Sequence, residues 1–541
     1  MTISGVVGRA FAAVLCIAAC GKQGTVTFTL EAPTTAALSP LTDARRDVIT
    51  ISDEKSGSVL ANASALAMSG SSEALGNNLP VGNFDLRLQV TGGALLLGLA
   101  RTRDVDIIGL QANDVTLHVR KPIAFFGASR VLGDPGLPGP GSLMTLDTTL
   151  PPSPILDPVS LGSTATASAS THDGQFVLVG AGSTLAVIDT RDDTVKQMGG
   201  APGAIGAIAV SADDKVAAIV SSSGVSLIGD LQGFIANGGS VPAAISLSQA
   251  TRAVFSPDGS TLTVLTGPTW DKVDCTKTQN AATYAIPVAA GTLGPKTAAP
   301  NSATGITYGP GGALILSSPC AAGAMDGDQV ALSGKGIYQS VPLAGGLAGV
   351  LGDFTTVHVD VDPDDPSLRN VDLPFGQIAL SGTAGGKTNV NFIIPSNRFE
   401  PFGQTDPSMP IVQIRLVPKS PLVAYEAAAS ADGARVVFNS RIHYGATAAR
   451  YVEVDFSDNT PAFFCEISVQ QDVYRVTEID TTTGTVGYQS TVAIDTGSCT
   501  DTCTDCTGLR GCMPSTRSCI SDAGGSTGYV PAGLSILMGT P

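Results

Sequence analysis

The feature that most constrains this chain is a turn that keeps returning in front of an apolar strand. "THDGQFVLVG" starts at Thr171, "SADDKVAAIV" at Ser211, "SPDGSTLTVLTG" at Ser256 and "SADGARVVFNSR" at Ser430, with weaker copies at Gly309 and Ala384. Asp-Gly, Asp-Asp and Gly-Gly suit tight turns, because Gly and Asp tolerate positive φ. The first three copies start 40 and 45 residues apart. That period marks the four-stranded blades of a β-propeller. With charged residues at only 14%, the chain is not a solvated disordered tail. The expected class is all-β.

Residues 20–126 lie upstream of the repeats and alternate like strands, as in "TVTFTLEA" and "NFDLRLQV". They resemble an immunoglobulin-like or carboxypeptidase-regulatory-like β-sandwich. A Pro/Gly-rich linker follows at 127–141, and the propeller is expected over 142–541. Just past the linker, "SLMTLDTT" reads like "TLAVIDTR" but has no inner strand before it, while the chain ends on "GYVPAGLSILMGTP", a strand with no partner after it. The C-terminus would supply the inner strands of a shared blade and residues 142–162 the outer ones, removing the ring's open edges. Counted this way the ring has seven blades; six is the alternative.

The turn and the second strand ending in Ile-Asp-Thr (Ile188-Asp189-Thr190, Ile479-Asp480-Thr481) resemble the YVTN-type, WD40-like propeller repeat. With strands labelled a to d outward from the channel, the short Asp-Gly turns join a to b. Long insertions fall between b and c (268–281, 317–334, 396–410, 441–472) and between d and the next a (347–374, 490–528). Both kinds of connection emerge on one face, so that rim is expected to be elaborated and the other trimmed. Long loops on a rigid scaffold are where function usually sits.

The first residues bear on location. Arg9 precedes a short apolar run ending Ile17-Ala18-Ala19-Cys20. The run is too short to span a membrane and fits a secretory signal over 1–19. Its end resembles a bacterial lipobox, which implies lipidation of Cys20, and the mature protein is expected to be an outer-membrane lipoprotein of the cell envelope, where disulfides persist. Eight cysteines then remain: Cys275, Cys320, Cys465, Cys499, Cys503, Cys506, Cys512 and Cys519. The one C-x2-C (Cys503, Cys506) lacks the second pair or nearby His of a zinc site. A disulfide framework is the better reading: Cys275 with Cys320, Cys465 with one member of the C-terminal five, the rest paired locally, together stapling a long loop.

Catalytic signatures such as HExxH or a Walker loop are absent from the sequence. His443 in "RIHYG" is the one histidine on the elaborated rim. "DVDPDDPSLRNVD" holds Asp360, Asp362, Asp364, Asp365 and Asp372; alternating carboxylates make calcium a possible ligand, although an acidic solvated loop explains them too. No cofactor is expected otherwise. Trp270, Arg398, Phe402 and Tyr444 are the candidate binding residues, of the types that anchor interfaces. A net charge of −16 without a basic stripe argues against nucleic acid. The expected partners are the membrane, through the lipid, and a protein or polysaccharide on the rim. The alternative is an envelope enzyme, lactonase-like or a hydrolase, working at the channel mouth.

Overall fold

The computed structural model describes most of residues 23–317 and, beyond them, the strands named below; the longest stretches outside it are 1–22, 318–337, 342–351, 360–370, 379–391 and 403–413. Among the described residues all elements are strands except one short helix, and no helix is long and apolar enough to cross a membrane.

Seven strands come first: β1 (Gln23–Glu31), β2 (Asp47–Asp53), β3 (Val59–Ala65), β4 (Ser72–Pro80), β5 (Gly82–Gly92), β6 (Leu95–Ile107) and β7 (Ala112–His118). They form two sheets, β4-β1-β7 and β3-β2-β5-β6. The alternation seen in the sequence is what joins them. Val26, Phe28 and Leu30 of β1 point inward, together with Leu117 of β7, and meet Ile49, Ile51, Leu86 and Leu88 of the other sheet in one core. Full burial of each such side chain contributes about 1.5–3 kcal/mol.

Three complete four-stranded sheets follow in simple chain order. They are β11 (Ala165–Ser170) to β12 (Phe176–Ala181), β13 (Thr184–Asp189) and β14 (Thr194–Gly200); β15 (Ile205–Val210) to β16 (Ala217–Ser221), β17 (Gly224–Ile228) and β18 (Ile245–Ser246); and β19 (Ala250–Phe255) to β20 (Thr261–Thr266), β21 (Ala282–Pro287) and β22 (Lys296–Ala298). A three-stranded sheet comes next, with β23 (Gly305–Tyr308), β24 (Leu314–Ser317) and β25 (Tyr338–Val341). The first strands pack side by side, β11 on β15, β15 on β19 and β19 on β23. Sheets that meander outward from a ring of adjacent first strands are the blades of a propeller.

The same turn chemistry builds each a–b connection. Thr171, Ser211 and Ser256 each accept, through the side-chain oxygen, the backbone N–H five residues on, at Phe176, Val216 and Thr261. The fourth position of the motif needs positive φ, and is Gly174, Asp214 or Gly259. Asp189 ends strand c of the first blade, and Thr190 after it donates back to the carbonyls of Gly174 and Gln175 in the a–b turn (2.6 and 3.0 Å). The Ile-Asp-Thr signature is therefore a clasp between the two turns of one blade.

The remaining strands are β26 (Gly352–Val359), β27 (Val371–Ile378), β28 (Phe392–Ile394), β29 (Glu400–Phe402), β30 (Ile414–Pro418), β31 (Leu422–Ala429), β32 (Arg435–Ala446), β33 (Ala449–Asp455), β34 (Thr460–Asp480), β35 (Val486–Asp505), β36 (Met513–Ser518) and β37 (Thr527–Ile536). The order β31-β32-β34-β35 makes a further blade.

A shared sheet joins the two ends of the ring. C-terminal β37 is its inner strand and pairs with β8 (Ile123–Val131), followed by β9 (Ser142–Asp147) and β10 (Ile155–Ser160). The register runs from Tyr529↔Val131 to Ile536↔Ala124. β37 also locks onto β11: Ser168 Oγ donates to the Gly533 carbonyl (2.5 Å) and Ser170 Oγ to that of Ile536 (2.9 Å). The strand next to the C-terminal one is thus β8, which straddles the end of the expected sandwich and the start of the expected linker. The two-sheet unit gives way to blade structure just after Arg120, rather than at residue 126, and the C-terminus supplies one strand of the shared sheet to the N-terminal side's three.

Candidate functional site

The strand order fixes which connections share a rim. The a–b and c–d turns lie on one side; the b–c and d–a connections lie on the other. On the second side the b–c links of the first two complete blades are two residues each, Gly182-Ser183 and Ser222-Ser223. They lengthen to 267–281 in the next blade and 318–337 in the one after. In the last blade the b–c and d–a connections contain strands where loops were expected. β32 and β34 run on together past β31, and β33 and β36 flank the overhang to give the order β33-β34-β35-β36. Elaboration is therefore concentrated on one sector of one rim.

This changes the picture of the cysteine-rich segment, 490–528. It is strand over Val486–Asp505 and Met513–Ser518, not one stapled loop. The register sets Cys465 directly opposite Cys503 and Val469 opposite Cys499. Strand also replaces loop in parts of the other expected insertions, at β26, β27 and β29. Phe402 and Tyr444 lie in one sheet, on β29 and β32, with β30 between them; Phe402 pairs with Ile414, and Tyr444 with both Pro418 and Gln471. His443 is opposite Asp472, and Arg441 Nη1 lies 3.9 Å from the Asp472 carboxylate at the root of the overhang. Trp270, Arg398, Cys275, Cys320, Cys506, Cys512, Cys519, Asp360, Asp362, Asp364 and Asp365 lie outside the described residues.

The opposite rim is occupied. Arg120 follows β7, is 2% exposed, and reaches from the two-sheet unit into the first complete blade. Its Nε donates to Thr190 Oγ1 (2.8 Å), its Nη1 to the carbonyls of Glu31 and Val119 (2.8 and 3.1 Å), and Nη2 lies 3.6 Å from the Glu31 carboxylate. Thr34 N–H donates to the Arg191 carbonyl at 3.0 Å. Around this joint, burial pushes the Asp173 carboxyl up and the Asp214 carboxylate adds to it, while burial lowers the His118 imidazole against the pull of Glu31 and Asp173. Asp214 accepts the backbone N–H groups of His172 and Asp173 (2.7 and 2.8 Å), linking the turns of two blades.

The expected trimming of this rim is incomplete. The c–d connection of the second complete blade carries the helix α1 (Leu231–Asn237), capped by Asp230 at its start and by Lys196 Nζ on the Ile235 and Ala236 carbonyls at its end. Leu231 N–H donates to the Lys215 carbonyl, which seats α1 beside an a–b turn. Sequence reading missed Arg120 and α1. The signal for Arg120 was a cation beside Pro122 at a change of unit; the signal for α1 was Asp230 before Leu231 and Gly238 after it.

At the channel, Arg252 on inner strand β19 meets Glu426 on inner strand β31 (2.9 Å). Glu426 also accepts from Asn439 Nδ2 (3.0 Å) and from Leu534 N–H of β37 (3.3 Å). The carboxylate ties its own strand to three others, which is a structural task. No group of three or more metal-ligating side chains is present among the described residues.

No protein-family description matches the chain, and no curated protein matches it. Among solved structures it is similar to a hydrazine synthase of Kuenenia stuttgartiensis, at 16% identity over 56% of this chain and 70% of that one, with a TM-score of 0.29. It is also similar to the Cps50 (Swd1) β-propeller domain of Myceliophteria thermophila, at 11% identity over 66% and 98%, TM-score 0.30. A third likeness is to a putative TolB of Agrobacterium tumefaciens, at 13% identity over 69% and 90%, TM-score 0.28. Likenesses this distant carry nothing about function.

Proposed function

We propose that this chain is a lipid-anchored cell-envelope protein that binds or scaffolds a partner, a protein or a polysaccharide, through the elaborated rim of a β-propeller. The carrying observation is the division of labour between the rims. The N-terminal unit, read as a β-sandwich, docks through Arg120 and Thr34 on the rim of short turns. The insertions and the strand overhang fall on the other rim. Counting β26–β28 as one blade, the ring has seven. Cys20 is the lipidated residue in this reading, and the rim is held in shape by disulfides that include Cys465. Phe402 and Tyr444, brought to one sheet, are the described binding residues; Trp270 and Arg398 complete the candidate set, and calcium at Asp360, Asp362 and Asp364 is an optional addition.

Photo-cross-linking in intact cells tests the reading. A photoreactive residue in place of Tyr444 should give one discrete adduct, protein or glycan, and one in place of Asp258, on the short-turn rim, should not. Equal labelling from both positions, or none from the first, refutes a rim-specific role.

A further inference from the structure

The N-terminal unit has two ends, and among the described residues the contacts with the propeller lie at one of them. At the free end the first residue of β1, Gln23, pairs with Pro80, the last residue of β4. β6 stops there at Ile107, and β7 begins at Ala112 beside Thr25. Asn113 ties this end together, accepting from Ile108 N–H (3.0 Å) and donating to the Thr25 carbonyl (3.1 Å).

Two large apolar side chains stand out into solvent at this end, Val81 at 45% and Ile108 at 50% exposure. They flank the point where the chain comes in: a Cβ placed on Gly109 would lie 3.0 Å from Val81 Cγ2 and 4.0 Å from the Gln23 carbonyl oxygen.

Only Gly21 and Lys22 separate Cys20 from Gln23. Three residue steps reach at most about 10 Å when fully extended. A lipid on Cys20 therefore leaves no slack for a flexible tether. We propose that the Gln23–Val81–Ile108 end of this unit is seated on the bilayer surface, with Val81 and Ile108 in its interfacial layer, so that the unit stands upright as a rigid post and the elaborated rim faces away from the membrane.

This inference rests on the lipid-anchor reading and adds an orientation to it. The occupant is the bilayer itself rather than an acidic lipid headgroup. The seated end carries the carboxylates of Asp106, which accepts from Asn83 Nδ2 (2.9 Å), and of Asp114, so contact is apolar and gains nothing from anionic lipid. The height of the post follows from β1, which spans the unit from Gln23 to Glu31; nine residues at about 3.3 Å each put the propeller roughly 30 Å above the surface.

The test uses the full-length lipidated protein in liposomes of zwitterionic phosphatidylcholine, with and without bromine on the acyl chains near the headgroup. In a Trp270→Phe background, single tryptophans are placed at the exposed positions Val81→Trp, Ile108→Trp and Leu293→Trp, the last on the short-turn rim of the propeller. Bromine quenches only tryptophan in the membrane, and tryptophan favours the interface. The expected result is roughly a twofold loss of emission at positions 81 and 108 and almost none at 293. Mass spectrometry of the N-terminal peptide and flotation with the liposomes report the anchor separately. Lipid on Cys20 with flotation but no quenching at 81 or 108 overturns the seated post and leaves the anchor standing. A Cys20 without lipid and no flotation overturns both.

Discussion

Arg120 Nε and Thr190 Oγ1 meet at 2.8 Å across the joint between the N-terminal unit and the first complete blade, both side chains buried. One residue thereby reads two local structures. Thr190 is the clasp between the turns of its blade, and Arg120 also receives the end of β1 through the Glu31 carbonyl.

Replacing Arg120 should uncouple the two parts. Arg120→Met removes the fork that holds three acceptors and should cost about 3 kcal/mol. Urea denaturation should then resolve two transitions where the parent shows a coupled one. Arg120→Lys should recover little of the loss, since an ammonium cannot reproduce the planar fork. A variant as stable and as cooperative as the parent would show that the joint is held elsewhere.

Asp214 makes a prediction that runs against the repeat. Its φ is +56, and the matching positions hold Gly174 and Gly259, so Asp214→Gly moves the turn toward the pattern and relieves backbone strain. The same change strips the acceptor from the His172 and Asp173 N–H groups. Two stranded donors outweigh the relief, and a net destabilisation of about 1–2 kcal/mol is expected in thermal melts. A gain in Tm would mean that water replaces the carboxylate without loss.

The c–d turn of the first complete blade should be pH-sensitive. The Asp193 carboxyl is pushed up to about 6 by burial first, then by Asp192 and Asp189. The folded state therefore holds this proton more tightly than the unfolded chain, whose carboxyl sits near 3.8. Stability from this group is full below that value and is lost as pH rises to about 6. Asp193→Asn removes the titration and should stabilise at pH 7 by about 1 kcal/mol after allowance for solvent screening, with the advantage gone near pH 4. Paired melting curves at the two pH values decide it; an equal effect at both would assign the gain to backbone strain alone.

Cys465 and Cys503 should bond to each other when the protein is held under oxidising conditions. Directly opposed residues on antiparallel strands have Cα atoms about 4.5–5.5 Å apart, inside the range a disulfide spans. Among the described cysteines, the register sets Cys503 and no other opposite Cys465. Non-reduced proteolysis should release a peptide joining the two, split by reductant. A bond from Cys465 to Cys499 would mean that β34 and β35 are slipped by four residues relative to this register.

Much of the ring was readable because its information is local. The Ser/Thr at the first turn position, the positive-φ residue at the fourth and the Asp-Thr after strand c each act within one blade, so a repeat in the sequence is a repeat in the structure. The shared closing sheet was readable from a strand pattern missing its neighbours at each end. The identity of that neighbour was not: "PIAFFGASRV" opens on a continuous apolar run, and such a run says that a strand is buried without saying against what. The overhang, which falls within 441–472 and 490–528, was read as loop because Thr, Ser, Asp and Cys there carry no apolar period, and its register is set by pairing with distant strands. The candidate binding residues were chosen by type and by their place in the expected insertions; that Phe402 and Tyr444 share a sheet depends on β30, which pairs with both strands.

The seam between β37 and β8 has a consequence in time. Ile536 finds its place beside Ala124, some four hundred positions earlier in the chain. The first blades have everything they need as soon as they emerge, but the strand that shuts the circle comes after every other described strand of the ring. Until then β8 and β11 each wait with a bare side, exposed to any passing strand. A chain built this way should depend on being delivered whole, and on escort during delivery, more than its finished stability would suggest.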